Sequence, residues 1–323
     1  MKYRKLGKTD MNVSILSFGA SPLGNVFDVS NETEGEKAVH YAIDHGINYF
    51  DVAPMYGTTL AESRLGKALK GKRNKIFLAT KCSRYSEKDF DFSYDRVLLS
   101  VDESLERLQT DYVDLLQIHD IEFGTMQQIL EEAIPAAIKA KEMGKARFIG
   151  ITGLPVRYLA KIIRQVDVDT VLSWAHYNLL EDEINDELVP LSKEKGFGLI
   201  NASPLLQRLL SESTIPDWHR SPQEVKDLQP ILIRLCANFG VKLSDVAIRF
   251  ALDHPDIATT IVGMSKLKNV EQNIRVLDFK TPDGLMEKIE NSVKTLKNKM
   301  WFEGNPENNI SKNKPTNESI LFD

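Results

Sequence analysis

Four ionisable side chains stand at or just beyond the ends of short apolar stretches in the first half of the chain: Asp51 and Tyr56 in NYFDVAPMYG, Lys81 in FLATKC and His119 in VDLLQIHD. Three of them have plain explanations alone, as a turn carboxylate, a packing tyrosine and a hydrogen-bonded histidine. A lysine closing a buried strand is different, because it needs a partner. Together the four make a proton-transfer device. A free phenol titrates near pH ~10, too high to trade protons efficiently at neutral pH. An ammonium beside it stabilises the phenolate, so Lys81 is expected to lower the Tyr56 pKa while Asp51 holds Lys81 charged and aimed. His119 would orient a carbonyl or hydroxyl oxygen by a hydrogen bond. Such a set interconverts an alcohol and a carbonyl. It contains no electron carrier, so a hydride-carrying cofactor has to come from outside the side chains.

The surrounding chain has the rhythm needed to gather these residues. Apolar, β-branched runs at 15–20, 48–53, 77–82, 113–119, 146–152, 170–177, 197–203 and 259–263 alternate with helical patterns. In EGEKAVHYAIDHG (34–46), for example, Ala38, Ala42 and Ile43 share one face. Gly144 and Gly196 close two helices, and Pro155 is placed for a first helical turn. Parallel strands need crossovers, and eight strand–helix units predict an α/β protein with a closed (β/α)8 TIM barrel. The turn after the first strand, FGASPLGN, does not fit the G-x-G-x-x-G of a doubly wound sheet. Barrel chemistry sits at the C-terminal strand ends, where strands two, three and four present Asp51, Lys81 and His119. YRKL (3–6) and NVS (12–14) predict an N-terminal β-hairpin cap on the barrel floor, and an extra C-terminal helix is expected. The barrel domain is placed at residues 1–302, and the Asn- and Pro-rich 303–323 is read as a polar, disordered tail.

A net charge of −5 leaves no electrostatic footprint for nucleic acid or an anionic membrane. Cys82 and Cys236 provide neither a disulfide scaffold nor a cysteine metal site, and they suit a reducing, cytoplasmic setting. No apolar run approaches signal-peptide or membrane-spanning character, and no cluster has metal-ligand spacing.

At the four ionisable residues the chain resembles the aldo-keto reductase superfamily. FGASPLG, GINYFDVAPMYG, ESRLGKAL, ATKC, SLERLQTDYVDLLQIHD, GKARFIGIT, ASPL and IVGMSKLKNVEQN fall in the family's order from about residue 3 to 300. The resemblance implies a catalytic tetrad of Tyr56, Asp51, Lys81 and His119 and a nicotinamide dinucleotide bound without a Rossmann motif. It is sharpest toward the aldose 1-dehydrogenases of the superfamily, which act on L-galactose (on the plant route to ascorbate), L-fucose or D-arabinose. Those sugars have corresponding hydroxyl configurations beside the anomeric carbon. The implied activity is NAD-linked oxidation of a small-molecule sugar at C1 to the lactone, by a monomer or homodimer.

Carrying the cofactor contacts across gives Thr152, Trp174, Ser203, Leu205, Gly263, Ser265, Asn269, Gln272 and Asn273, with Leu206, Gln207 and Leu209 continuing the loop after strand seven. Two positions depart from the family pattern. Many members carry Ser-Asn where this chain has Thr152-Gly153, so a side-chain amide is missing, and a strand-six glutamine is replaced by Trp174. NADP-selective members place a cation against the 2′-phosphate, whereas Gly263 and Asn269 are neutral. NAD is therefore preferred over NADP, although Lys266 and Lys268 lie close by. The substrate pocket is assigned Asn25, Phe27, Asp120, Phe123, His176 and Trp218. Cys82 is expected to pack behind the site, and His40, His45 and His254 to be solvated on outer helices. Two alternatives remain: a general NADPH-dependent aldehyde or ketone reductase, and a cofactor-binding scaffold of the channel-auxiliary type.

Overall fold

The computed structural model describes residues 1–309 apart from Asp28, Ser30 and Met300. Ten strands form. β1 (Tyr3–Lys5) and β2 (Asn12–Ser14) pair antiparallel as the expected hairpin. The other eight are β3 (Leu16–Gly19), β4 (Tyr49–Asp51), β5 (Phe77–Cys82), β6 (Val113–Ile118), β7 (Ala146–Gly153), β8 (Thr170–Trp174), β9 (Gly198–Ala202) and β10 (Thr259–Gly263). All pair in parallel and close into a barrel in chain order, β10 returning to β3.

Period-two alternation explains how the strands divide their side chains. In β5, Ala79 and Lys81 face the barrel interior, while Leu78 and Cys82 join the outer core beneath the helices. Cys82 is fully buried there, with its thiol pushed up to about 12 by desolvation, so it packs behind the site as expected. Inside, Tyr49, Ala79, Leu115, Leu172 and Ile200 stack into a plug that Leu6, Met11 and Val13 of the hairpin close from below. Arg4 ties the hairpin down by donating to the carbonyls of His254 and Ile257, both at 2.6 Å. The floor is thus sealed, and the open end lies at the strand C-termini.

The helices carry two sequence-legible features and two surprises. Ile184–Lys195 ends at Gly196 in the left-handed conformation, as its position predicts. The extra helix is Leu285–Val293. The helix expected from Met126 is interrupted by a π-helical stretch at Ile129–Ala133 before Ile134–Glu142. His254 is not solvated: it is buried, its Nε2 lies 2.8 Å from Asn185 Oδ1, and its ring meets Tyr177 edge-on.

The boundary drawn at 302 falls inside packed structure. Trp301, Glu303 and Asn308 are buried, and Asn308 donates to the carbonyls of Glu122 and Gly124 at 2.9 and 2.8 Å. Gly304 has φ +79°, and a Cβ there would sit 2.5 Å from the Glu122 carbonyl, so a glycine is needed for this approach. Polar composition suggested a free tail, but these asparagines satisfy the backbone of the loop after β6. Residues 310–323 lie outside the described residues.

Candidate active site

Each tetrad side chain reaches the open rim by a different local device. Asp51 is the last residue of β4 and His119 directly follows β6, where the ladder continues as the His119 N–H donates to the Cys82 carbonyl at 3.0 Å. Tyr56 lies on a turn held by its own N–H to Ala53 O at 3.1 Å. Gly57 follows with φ +64°, and any Cβ there would come within 2.0 Å of Gly24 O. Only glycine lets the loops after β3 and β4 touch backbone to backbone. The rim is strained elsewhere too: Ser83, Asp120, Ala175 and Ser203, each within two residues of a strand end, all adopt positive φ without being glycine. Backbone of this kind persists only where surrounding packing enforces it, and it concentrates at functional sites.

The structure brings the four residues together. Lys81 Nζ forms a buried ion pair with Asp51 Oδ1, donates to Val52 O at 3.0 Å and lies 3.3 Å from the Tyr56 hydroxyl. The Tyr56 and His119 rings meet edge-on, their centroids 5.9 Å apart. Gln117, opposite Lys81 in the β5–β6 register, donates to the second Asp51 oxygen at 2.9 Å. Sequence reasoning passed over Gln117, yet a signal existed: it is a polar residue in an apolar strand, two before His119 and so on the same face.

The electrostatics amend one expectation. Desolvation raises the Tyr56 phenol above its ordinary value; Lys81 pulls it back down but does not overcome burial, and Asp51 and Asp120 push it up further. The prediction of a net lowering was therefore wrong in sign for the protein alone. Burial pulls Lys81 downward, but Asp51 and Tyr56 outweigh it and hold the ammonium well above the usual lysine range. His119 is lowered to about 3 by burial, with Asp120 opposing and Lys81 and Arg84 assisting, so its ring is neutral at physiological pH.

The candidate cofactor contacts form a band around the rim. Thr152 is buried, its hydroxyl accepting from the Asp120 N–H at 3.0 Å. A Cβ on Gly153 would lie 2.7 Å from Glu122 Oε2. The space a side chain at 153 would need is thus filled by a carboxyl that burial holds well above the usual range. Ser203, Leu206, Gln207 and Arg208 all have positive φ, folding the loop after β9 into a tight, irregular wall around Leu205 and Leu209. Beyond β10, the helix Leu267–Arg275 begins at Lys266 without a side-chain cap. Its free N–H groups beside Ser265 suit a phosphate. Gly263 and Asn269 are exposed, while Gln272 donates to Asp245 at 3.0 Å and Asn273 is buried. The uncapped helix start and the exposed Asn269 fit the phosphate-bearing part of a dinucleotide, while the Gln272 amide is already committed to Asp245 and Ser244. Among the described residues no group of His, Cys, Asp and Glu could hold a metal ion, and no helix is long and apolar enough to cross a membrane.

The candidate substrate residues divide. Phe27 and Trp218 meet across the mouth with centroids 5.8 Å apart, linking the loops after β3 and β9. Phe123 stacks on Phe90 at 4.1 Å, whereas Asn25 turns toward Arg64, accepting from it at 3.1 Å. His176 is buried with Nδ1 3.4 Å from Glu183. Asp120 lies beside His119, in a buried ion pair with Arg84. Trp301 packs against Trp174 at 6.0 Å and donates to Glu303 at 2.8 Å, and Glu303 pairs with Arg220 at 2.6 Å. Trp301 and Glu303 were not anticipated because only the folded C-terminal segment brings them to this rim, and Arg84 and Glu122, on the loops after β5 and β6, because their partners lie on other loops.

A closed parallel barrel with an Asp–Tyr–Lys–His cluster at its C-terminal rim defines a class. Residues 15–294 match the Aldo/keto reductase family, and the chain belongs to it. It is an oxidoreductase of alcohol and aldehyde groups, from a family that uses nicotinamide dinucleotides. An L-galactose dehydrogenase of Arabidopsis thaliana is 42% identical over 314 residues, spanning 94% of this chain and 98% of that protein. A D-threo-aldose 1-dehydrogenase of a Pseudomonas species is 30% identical, over 84% of this chain and 92% of its own. The solved holo form of an aldo-keto reductase from Bacillus halodurans superposes with a TM-score of 0.77 at 28% identity, covering 94% of this chain and 98% of that one.

Proposed function

We propose that the protein is an aldose 1-dehydrogenase that oxidises L-galactose, or the configurationally related L-fucose or D-arabinose, to the lactone with NAD. The observation that carries the chemistry is the Tyr56 hydroxyl 3.3 Å from a Lys81 ammonium that Asp51 holds in place. The sugar binds as a pyranose, its anomeric hydroxyl between Tyr56 and His119. The Tyr56 phenolate takes the hydroxyl proton, and Lys81 stabilises that phenolate. His119, neutral, donates to the same oxygen and leaves its charge to be managed by Tyr56 alone. NAD held along Thr152, Ser203, Ser265 and Asn269 would supply the hydride acceptor for C1. In the reverse direction Tyr56 is the acid. The sugar assignment is supported by the names of the two aldose-oxidising relatives. NAD is preferred because Gly263 and Asn269 offer no positive charge for a 2′-phosphate.

The test is the initial rate of nicotinamide reduction with L-galactose, NAD beside NADP, in wild type and Tyr56→Phe. NAD-linked turnover that collapses in the variant is expected. Turnover with none of the three sugars, together with NADPH-driven reduction of simple aldehydes, would replace this reading with a general carbonyl reductase.

A further inference from the structure

The buried pair Arg84–Asp120 has no task in the proton transfer described above, yet it stands directly behind His119. His119 Nε2 lies 3.4 Å from Asp120 Oδ2, the oxygen that also pairs with Arg84. At the other end of the ring, Nδ1 is buried and has no hydrogen-bond partner. We propose that Asp120, clamped by Arg84, is a positioning residue whose carboxylate charge, close to Nε2 without hydrogen-bonding to it, keeps the His119 ring proton on Nε2 and leaves that N–H free for the reacting oxygen. This rests on the reading that His119 faces the substrate.

Both ends of the ring select the same tautomer. A carboxylate beside Nε2 attracts an N–H and repels a lone pair, while a proton on Nδ1 would be a buried donor without an acceptor. The clamp is rigid. Thr152 Oγ1 accepts from the Asp120 N–H at 3.0 Å and lies 3.4 Å from Asp120 Oδ1, so the other carboxylate oxygen is also occupied. The Arg84 guanidinium lies 5.0 and 5.1 Å from the ring centres of Phe90 and Phe123, whose own stacking limits its movement. With its oxygens committed to Arg84 and Thr152, Asp120 polarises the His119 ring instead of reading a sugar hydroxyl.

The test is ring-nitrogen NMR of the full chain labelled with ¹⁵N-histidine, the His119 signals identified by their loss in His119→Asn. Wild type is expected to show a neutral ring protonated on Nε2. Asp120→Leu removes the acceptor, and the signature should become a tautomer mixture, with kcat/KM for the sugar reduced about tenfold or more. Asp120→Asn should retain the Nε2–H form, because Arg84 requires an oxygen at the position facing His119. Should Asp120→Leu not fold, Arg84→Met, which frees the carboxylate, should give the mixture. A wild-type ring protonated on Nδ1, or a tautomer unmoved by both substitutions, overturns the proposal. The spectrum needs no sugar, so absent aldose turnover with the Nε2–H form intact would refute the substrate reading alone.

Discussion

Lys81 Nζ sits 3.3 Å from the Tyr56 hydroxyl while the same nitrogen is held by Asp51 and the Val52 carbonyl, so the ammonium cannot leave the phenol it serves. Tyr56→Phe removes only the hydroxyl and preserves ring packing. It should lower kcat by roughly 10²–10⁴ with little change in Tm. Lys81→Met should lower kcat comparably but also shift Tm, because it leaves Asp51 buried without its cation. Steady-state kinetics beside thermal melts separate the two effects.

The raised Tyr56 pKa fixes the sign of the pH dependence. Sugar oxidation requires the phenolate, so kcat/KM in that direction should climb through neutral and alkaline pH without levelling below about pH 10. Carbonyl reduction requires the phenol and should stay flat over that span. A pH–rate profile in both directions checks this, and an oxidation plateau near neutrality would show that Lys81 outweighs burial once ligands are bound.

Glu122 should be a stability cost at neutral pH. Its folded-state pKa is raised well above the unfolded value, first by burial and then by Asp120. Its contribution is therefore fully present below about pH 4 and is lost as pH rises. Glu122→Gln keeps the acceptor for the Leu154 N–H, which Oε1 meets at 3.0 Å, and replaces Oε2, which has no partner. Melts at about pH 8 should show the variant more stable by roughly 2–4 °C, with the gap closing by about pH 4.

Trp301 joins the C-terminal segment to the rim through Trp174, His219 and Glu303. Trp301→Ala should cost about 3–5 kcal/mol and raise KM for the sugar more than it lowers kcat, since the tetrad is untouched. Denaturant titration and saturation kinetics would detect both, and an unchanged KM would remove this segment from the pocket wall.

The barrel and its four central residues were legible in the sequence because they depend on local rules. Period-two strands separated by helices leave few parallel topologies, and chemistry at strand C-termini then selects Asp51, Lys81 and His119 from all similar residues. Composition misled at the C-terminus, where Asn305 and Asn308 look like tail residues but bond the loop at Glu122. Neither Arg84 beside Asp120 nor Glu122 at Gly153 can be read from spacing, since each pairing joins different crossover loops.

The sequence by itself determined which groups could exchange a proton and on which end of the barrel they stand, because strand periodicity and residue type suffice for that. Only the tertiary structure decided how those groups are tuned. Desolvation, not the neighbouring lysine, sets the direction for Tyr56, and the carboxylate facing His119 is oriented by an arginine from another loop. Burial and through-space charge accumulate over the whole packed rim, and no linear pattern of residues contains that sum.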